Sequence, residues 1–226
     1  MIATMMAAVL ALQSEELTDA AKKTATLESY TFKTELKAGK GGKSGPGVIE
    51  GRYQKDQPMA LKAGGAEGFK KAGAVVYKDG EEWKRLEKAA KGEKKSQPAA
   101  AAFAAVKFPH EEFEGFEKNF EKVEKAAEKD KDCTVWSGPL TATAARGLVS
   151  TGSKAEAKSQ ATYTGTGKVW INDKGVIVRF EASVHMKGEN KKGPVESDIT
   201  RTVEITEGGA PIDVPEGAKK LLDSQS

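Results

Sequence analysis

The amino-acid sequence predicts an α+β fold in which helices cover an antiparallel sheet that has one apolar face. Three observations support this prediction. Residues 163–187 alternate in two runs around a turn, short alternating runs are closely spaced between residues 28 and 87, and phenylalanines recur at helical spacing between residues 109 and 129. Period-two alternation is typical of a strand with one buried face, whereas spacings of three and four residues favour a helix with one apolar side.

The run over residues 163–187 predicts a long antiparallel hairpin. In its second half, one face carries polar and charged residues from Arg179 to Lys187, and the other face is apolar. The turn Asn172–Gly175 joins the halves, and Gly175 suits a left-handed position because glycine has no Cβ. The residues expected on the buried face are Tyr163, Val169, Ile171, Val176, Val178, Phe180, Ala182, Val184 and Met186.

An apolar run opens the chain. Residues 2–12 are too few to span a bilayer but suit the core of a signal peptide, and Val9-Leu10-Ala11 offers small residues for a signal peptidase. No basic residue precedes this core, so the buried first turn of an N-terminal helix is the alternative. We expect residues 1–11 to be a signal peptide and the mature protein to be periplasmic or secreted.

A helix and a set of short strands are expected next. An apolar stripe from Leu17 to Leu27 predicts an amphipathic helix over residues 14–27. The glycine-rich segment of residues 39–47 lacks the spacing of a phosphate-binding loop and precedes a strand, which excludes nucleotide binding. The expected strands cover residues 28–38, 48–54 and 58–63, followed by a hairpin of residues 74–78 and 82–87 that turns at Asp79-Gly80.

The middle of the chain is expected to supply the helical cover. An alanine run around Phe103 precedes the predicted helix of residues 109–129. Phe113, Phe116 and Phe120 share one side of that helix, while glutamates and lysines occupy the other side. Because this stripe of phenylalanines needs an apolar partner, we expect it to lie on the sheet.

The last third of the chain adds strands and short helices. Thr141 is expected to cap a helix over residues 141–150. In the strand expected over residues 195–206, Arg201 falls on the apolar side, which indicates a strand end or a polar site. The remaining expected elements are a strand over residues 134–140 and a terminal helix that follows Ile212 and Val214.

Composition and motifs exclude several classes of function. The net charge is +3 and the basic residues are nearly all lysine, so we expect no nucleic-acid binding. Cys133 is the single cysteine, and the only histidines are His110 and His185. No HExxH, paired-cysteine or GxSxG pattern occurs, and Glu111-Glu112 reads as a pair of solvated charges at a helix start. We therefore expect no enzyme, no catalytic residue, no metal site and no cofactor.

Three motifs resemble the LolA-like superfamily of periplasmic lipoprotein carriers and lipid-binding lipoproteins. The first pairs a glycine, an aromatic residue and a basic residue with a proline on the early strands, the second is an Asp-Gly hairpin, and the third is the closing hairpin. These motifs are Gly51-Arg52-Tyr53-Gln54-Lys55 with Pro58 and Leu61, Tyr77-Lys78-Asp79-Gly80 with Trp83, and Val169-Trp170-Ile171 with Gly175, Val178 and Arg179.

The resemblance covers residues 27–214. It implies a curved antiparallel sheet, an incomplete β-barrel, with helices covering the concave face. The expected organisation is one half-barrel domain over residues 12–226, with a helical insertion at about residues 88–132. One position departs from the family pattern: the arginine that the family carrier has just before the proline is replaced here by Asp56 and Gln57. In the family, that arginine tethers the helical cover. The replacement argues against lipoprotein transfer in particular, and leaves an apolar cavity in general unaffected.

The resemblance also implies a function, an exported soluble carrier or binder of lipid or lipoprotein acyl chains, acting as a monomer. An envelope protein partner and peripheral membrane contact are compatible with that function. The alternative is a non-catalytic structural or interaction module of the cell envelope with a filled core. The candidate ligand-binding residues are Tyr30, Phe32, Leu36, Tyr53, Met59, Leu61, Tyr77, Phe113, Phe116, Phe120, Val169, Val178, Phe180, Val184 and Met186.

Overall fold

The computed structural model describes residues 15–39, 47–86, 98–126, 130, 132–149, 161–190 and 193–224. The expected signal peptide at residues 1–11 lies outside the described residues, as do most of the glycine-rich segment and the charge-rich stretch before residue 98. Within the described part of the chain, no helix is long and apolar enough to cross a membrane.

The described residues form eleven strands, five α-helices and one 3-10 helix. The helices are α1 (residues 15–25), α2 (Pro98–Ala105), α3 (Pro109–Phe113), α4 (Ala142–Val149) and α5 (Glu216–Asp223), and the 3-10 helix is Phe116–Asn119. The strands are β1 (Ser29–Ala38), β2 (Gly47–Gln54), β3 (Met59–Ala63), β4 (Ala66–Lys71), β5 (Ala74–Asp79), β6 (Glu82–Arg85), β7 (Glu124–Lys125), β8 (Thr134–Pro139), β9 (Thr162–Ile171), β10 (Ile177–Asn190) and β11 (Gly193–Glu207).

The strands form one antiparallel sheet in the order β6-β5-β4-β3-β2-β1-β11-β10-β9-β8-β7. The sheet is not closed into a barrel, because β6 and β7 are its two ends. The predicted α+β class, an open antiparallel sheet with helices, is confirmed.

Contacts along the chain define two compact units. The long-hairpin unit comprises Met1–Leu27, Leu36–Gly45 and Lys107–Ile205, and the meander unit comprises Glu28–Glu35, Pro46–Val106 and Thr206–Ser226.

The predicted long hairpin is confirmed as β9 and β10 in the long-hairpin unit. Its turn is closed by Asn172, whose side-chain oxygen accepts hydrogen bonds from the backbone N–H groups of Lys174 and Val176 at 3.1 and 2.9 Å. Gly175 has φ +73°, the left-handed conformation expected for it. The register shifts between Ile177 and Arg179, so a β-bulge interrupts the alternation at the start of β10.

Helix α1 confirms the amphipathic pattern of the N-terminal segment. Leu17, Ala20 and Thr24 are buried on its inner side. The Thr24 hydroxyl donates to the Ala20 carbonyl at 2.7 Å and accepts from the Ile177 N–H at 2.9 Å. A side chain predicted to lie on the apolar stripe therefore also fixes the first residue of β10.

The long helix predicted over residues 109–129 is wrong. Helix α3 ends at Phe113, and Gly115 follows with φ +67°, a left-handed conformation that an α-helix does not contain. The 3-10 helix then ends at Asn119, and β7 begins at Glu124. The phenylalanine spacing matches a helix because the two short helical pieces keep the same side toward the sheet.

The meander unit contains a strand and a helix that the sequence patterns did not predict. Strand β4 lies between β3 and β5 and begins after a turn at Gly64-Gly65, both with positive φ. The alanine run forms α2, which contacts β3, β4 and β5. The predicted terminal helix is confirmed as α5, which contacts β4, β5 and β6.

Candidate functional site

In the long-hairpin unit, the predicted phenylalanines form one aromatic cluster on the sheet. The ring centroids of Phe113 and Phe116 are 4.9 Å apart, and those of Phe116 and Phe120 are 5.8 Å apart, both edge to face. Phe116 also meets Phe180 of β10 edge to face at 4.8 Å. Phe113, Phe116 and Phe120 are each no more than 8% exposed. The aromatic segment therefore covers β10 as predicted, although it is not one helix.

Glycine makes room for this cluster on the neighbouring strand. Gly167 of β9 faces Ala182 of β10, and a Cβ at Gly167 would lie 2.7 Å from the Phe120 ring and 3.0 Å from Leu140. Real Cβ atoms are not found at such short distances, so only glycine fits beneath Phe120 at this position. The absence of a side chain at Gly167 is thus what allows the ring to approach the sheet.

The strand register shows which predicted residues share this face. Val169 lies opposite Phe180, and Val184 lies opposite Gly165. Trp136 of β8 lies opposite Val169 and is buried on the same face. Val178 falls in the bulge, and it and Met186 are half-buried, as is Leu36 on β1. We call the surface formed by Trp136, Val169, Phe180, Val184 and Met186 the roofed face.

Trp136 was not among the candidate residues, although it lies on a predicted strand. Its side chain is 2% exposed. The indole N–H has no hydrogen-bond partner among the described residues. Buried N–H groups are normally paired, so this donor is unusual. The alternation of residues 134–140 places Trp136 on a predicted strand. No sequence pattern predicts that its indole N–H lacks a hydrogen-bond partner among the described residues.

A buried ion pair lies beside the aromatic cluster. Arg201 of β11 faces Ala182, on the side of the sheet that carries Phe180. Its guanidinium binds both carboxylate oxygens of Glu112, with Nη2 to Oε2 at 2.7 Å, and Nη1 also donates to the Leu148 carbonyl at 3.3 Å. The Arg201 and Glu112 side chains are 13% and 6% exposed. The polar site predicted at Arg201 is confirmed, whereas the prediction that Glu112 is a solvated charge is wrong.

In the meander unit, the remaining candidate residues share one face of the sheet. Gly51, Leu61, Gly68 and Tyr77 lie opposite one another across β2, β3, β4 and β5. Tyr53 and Met59 lie two residues from Gly51 and Leu61, and therefore on the same face. Tyr30 stacks on Tyr53 with ring centroids 4.8 Å apart, and a Cβ at Gly51 would lie 2.1 Å from the Phe32 ring.

A helix that sequence reasoning missed covers this face. Phe103 of α2 is fully buried, and a Cβ at Gly68 would lie 2.7 Å from its ring. Lys70 holds the end of α2, since its ammonium donates to the Ala104 carbonyl at 3.0 Å and to the Val106 carbonyl. The only available signal was the single aromatic residue within the alanine run.

The opposite face of the meander unit is a filled core. Phe69 and Val76 pack with Ala218 and Leu222 of α5, and the rings of Phe69 and Trp83 are 5.4 Å apart. No candidate residue lies on this face. Residues of one strand are thus divided between a surface under α2 and a surface under α5, as strand alternation requires.

The titratable and nucleophilic side chains of the described residues include His110, His185 and Cys133. His185 is exposed and lies 2.9 Å from Asp198 and 3.0 Å from Glu196, and the hydrogen bond to Asp198 raises the pKa of its imidazole. Partial burial lowers the pKa of His110. Cys133 is a half-buried thiol. No group of three metal-ligating side chains occurs in the described ranges.

The fold is LolA-like, as the sequence motifs indicate. Solved structures with a similar fold include two mycobacterial proteins. The lipoprotein LppX of Mycobacterium tuberculosis is 12% identical, with a TM-score of 0.53 over 89% of this chain and 97% of the other. LprF of Mycobacterium bovis is 13% identical, with a TM-score of 0.51 over 91% of this chain and 96% of the other. At this identity the likeness concerns the fold alone.

Sequence comparison adds nothing to this result. No protein-family model matches the chain, and no curated protein sequence matches it significantly.

Proposed function

We propose that this protein is an exported, non-catalytic carrier or binder of hydrophobic ligands, which it holds through their lipid or lipoprotein acyl chains. The single observation that carries the proposal is the roofed face beneath Phe113, Phe116 and Phe120. This face is apolar, it is covered by a short segment with little regular structure, and the Glu112–Arg201 ion pair joins that segment to β11. The likeness in fold to the lipoprotein LppX supports the proposal.

The physical basis of the proposed activity is transfer of hydrocarbon from water. Each buried methylene contributes roughly 0.8 kcal/mol, so a chain with ten methylenes in contact with protein would gain about 8 kcal/mol before the entropy of binding is subtracted. Because no bond is made or broken, this activity needs no catalytic group. The aromatic rings offer large flat contact surfaces to such a chain.

The unpartnered indole N–H of Trp136 supports a ligand that carries an oxygen acceptor as well as hydrocarbon. A buried donor without a partner costs about 1–3 kcal/mol, which a ligand carbonyl oxygen beside the chain would recover. An ester-linked acyl chain has such an oxygen. We therefore favour ester-linked lipids over free alkanes as the hydrophobic ligand.

Admission of a chain requires the cover to move. Phe116 and Phe180 are in direct edge-to-face contact, so a ligand between them displaces the segment that carries Phe116. That segment contains the left-handed Gly115 between two short helices, and the Glu112–Arg201 pair joins it to β11. We propose that the covering segment moves away from the sheet at Phe116, while the Glu112–Arg201 pair keeps it joined to β11.

The direct contact between these rings also favours a second function, a structural or interaction module of the cell envelope with a filled core. In that case the aromatic cluster is ordinary packing and no chain enters beneath it. The two functions differ in one measurable property, which is retention of lipid.

Native mass spectrometry of protein purified from membranes distinguishes them. Met186→Glu places a charge at the half-buried end of the roofed face, and Ser183→Glu places the same charge on the exposed face of the same strand. We expect lipid to accompany the unmodified protein and Ser183→Glu, and to be lost from Met186→Glu with its circular dichroism unchanged. Lipid-free protein in all samples would contradict the carrier function and leave the structural one.

A further inference from the structure

A polar cleft lies in the long-hairpin unit, beside the segment that covers the roofed face. Its volume is 390 Å³, which is within the range of about 300–1,000 Å³ typical of small-molecule sites. Helices α3 and α4 and the 3-10 helix form its walls. The lining residues are Lys107, Glu111, Glu112, Lys118, Asn119, Thr141, Thr143, Ala144, Gly147 and Leu148.

The same stretch of chain contributes residues to this cleft and to the aromatic cluster. Helix α3 and the 3-10 helix bury Phe113 and Phe116 against the sheet side, while Glu112, Lys118 and Asn119 of the same stretch line the cleft. A polar compartment and an apolar surface therefore occupy the two sides of residues 109–120. This is the arrangement that an amphiphilic molecule needs, since its chain and its headgroup require opposite environments.

The charges of the cleft favour a single negative charge. Glu112 is neutralised by Arg201, which holds both of its carboxylate oxygens. The other charged lining residues are two cations, Lys107 and Lys118, and one carboxylate, Glu111. The lining residues together with Arg201 therefore carry one more positive charge than negative charges. Lysine ammonium groups bind phosphate oxygens as point charges.

The polar neutral residues of the cleft are held in place. The Thr141 N–H donates to the Asn119 carbonyl at 2.9 Å, and the Thr141 hydroxyl accepts from the Ala144 N–H at 3.2 Å as the cap of α4. These bonds tie the 3-10 helix to the start of α4. The Asn119 and Thr143 side chains line the cleft beside them and have the donor and acceptor groups that hydroxyl-bearing headgroups use.

From these observations we propose that the cleft binds the phosphodiester headgroup of a lipid whose acyl chains lie on the roofed face. This inference rests on the proposed function. Lys107 and Lys118 contact the phosphate, and Asn119 and Thr143 contact the hydroxyl groups of the headgroup. A phospholipid is thereby preferred over a neutral lipid with the same chains.

The test measures affinity for two lipids that have the same labelled chains, phosphatidylglycerol and diacylglycerol. We expect the unmodified protein to bind phosphatidylglycerol about tenfold more tightly, as one or two charge-assisted contacts would give. Lys107→Gln/Lys118→Gln is expected to bind the two lipids equally, with its affinity for diacylglycerol unchanged. The matched control is Lys33→Gln/Lys219→Gln, which removes the same charge from exposed positions outside the cleft and should keep the preference.

Each other outcome has a definite meaning. Equal affinity of the unmodified protein for both lipids overturns the headgroup site and leaves the carrier function in place. A preference that the control variant also loses assigns the effect to general surface charge and overturns the site as well. Binding of neither lipid contradicts the carrier function itself, and binding of soluble glycerophosphoglycerol alone shows a phosphodiester site that serves no lipid.

Discussion

The long-hairpin unit and the meander unit each have a covered sheet face, and the two covering segments differ in how they are held in place. In the long-hairpin unit, the cover consists of a five-residue helix and a 3-10 helix separated by Gly115, and a buried ion pair joins it to β11. In the meander unit, the cover is the regular helix α2, whose last carbonyls are bound by Lys70. An irregular segment has few backbone hydrogen bonds of its own, so its position depends on specific contacts.

The two covers also share a device. Each places an aromatic ring over a strand glycine, Phe120 over Gly167 and Phe103 over Gly68. The glycines remove the Cβ that would hold the ring away from the sheet. Aromatic rings pack each cover against its face, and polar contacts join each cover to a neighbouring strand.

The largest effect is expected at the ion pair. Glu112→Ala leaves the Arg201 guanidinium buried without its partner, which should lower the free energy of unfolding by about 3–5 kcal/mol. Chemical denaturation measures this change. Glu216→Ala breaks an exposed pair with Lys220 and should change the free energy by less than about 0.5 kcal/mol. Equal effects in the two variants would show that the long-hairpin cover is not fixed by its ion pair.

The glycine device is tested by adding a single methyl group. Gly68→Ala places a Cβ 2.7 Å from the Phe103 ring and 2.9 Å from the Val76 carbonyl, and should destabilise the protein by about 1–3 kcal/mol. Gly147→Ala is the control, because nothing lies within 4 Å of its Cβ and alanine favours the helix by about 0.5–1 kcal/mol. Equal melting temperatures for Gly68→Ala and Gly147→Ala would show that the ring of Phe103 does not need a glycine beneath it.

A smaller effect is expected at the attachment of α2. Lys70→Met removes the donor that binds the Ala104 and Val106 carbonyls and should cost about 1 kcal/mol. Hydrogen exchange at the end of α2 should rise with it. Lys71→Met removes an exposed pair with Asp223 and should leave exchange in α2 unchanged. Faster exchange in both variants would mean that the meander cover has no specific polar attachment.

The smallest effect concerns His185, which lies outside both covers. Its pKa is raised above the ordinary value of 6.5 by Asp198 and Glu196. Protonated His185 therefore stabilises the fold fully below about pH 6.5, and this contribution is lost as the pH rises through the folded pKa. An NMR titration should give a pKa above 6.5 that Asp198→Asn lowers. A pKa at or below 6.5 would contradict the ion contacts of this strand pair.

The sequence predicted those parts of the fold that depend on neighbouring residues. The hairpin of β9 and β10 was predictable because alternation and a turn ending in Gly175 are local signals. The cap of α4 by Thr141 was predictable for the same reason. Even the polar character of Arg201 followed from its place in the alternation of β11.

The remaining parts depend on residues that are distant in the chain. Glu112 and Arg201 are 89 positions apart, and no local pattern distinguishes Glu112 from the solvated Glu111. Strand β4 was missed because Gly68, which receives Phe103, gives no hydrophobic signal. The helix expected over residues 109–129 failed because spacing alone cannot separate one helix from two short pieces around Gly115.

Fluorescence quenching by a lipid with brominated acyl chains shows where bound chains lie, because bromine quenches a tryptophan only at short range. Trp136 lies on the roofed face, whereas Trp170 lies on the opposite side of the sheet, stacked against Arg179 at 4.5 Å. In Trp83→Phe/Trp170→Phe, the account predicts that the brominated lipid quenches Trp136. In Trp83→Phe/Trp136→Phe, it predicts that Trp170 keeps its emission. Absence of quenching in both proteins, or equal quenching in both, would contradict acyl-chain binding on the roofed face.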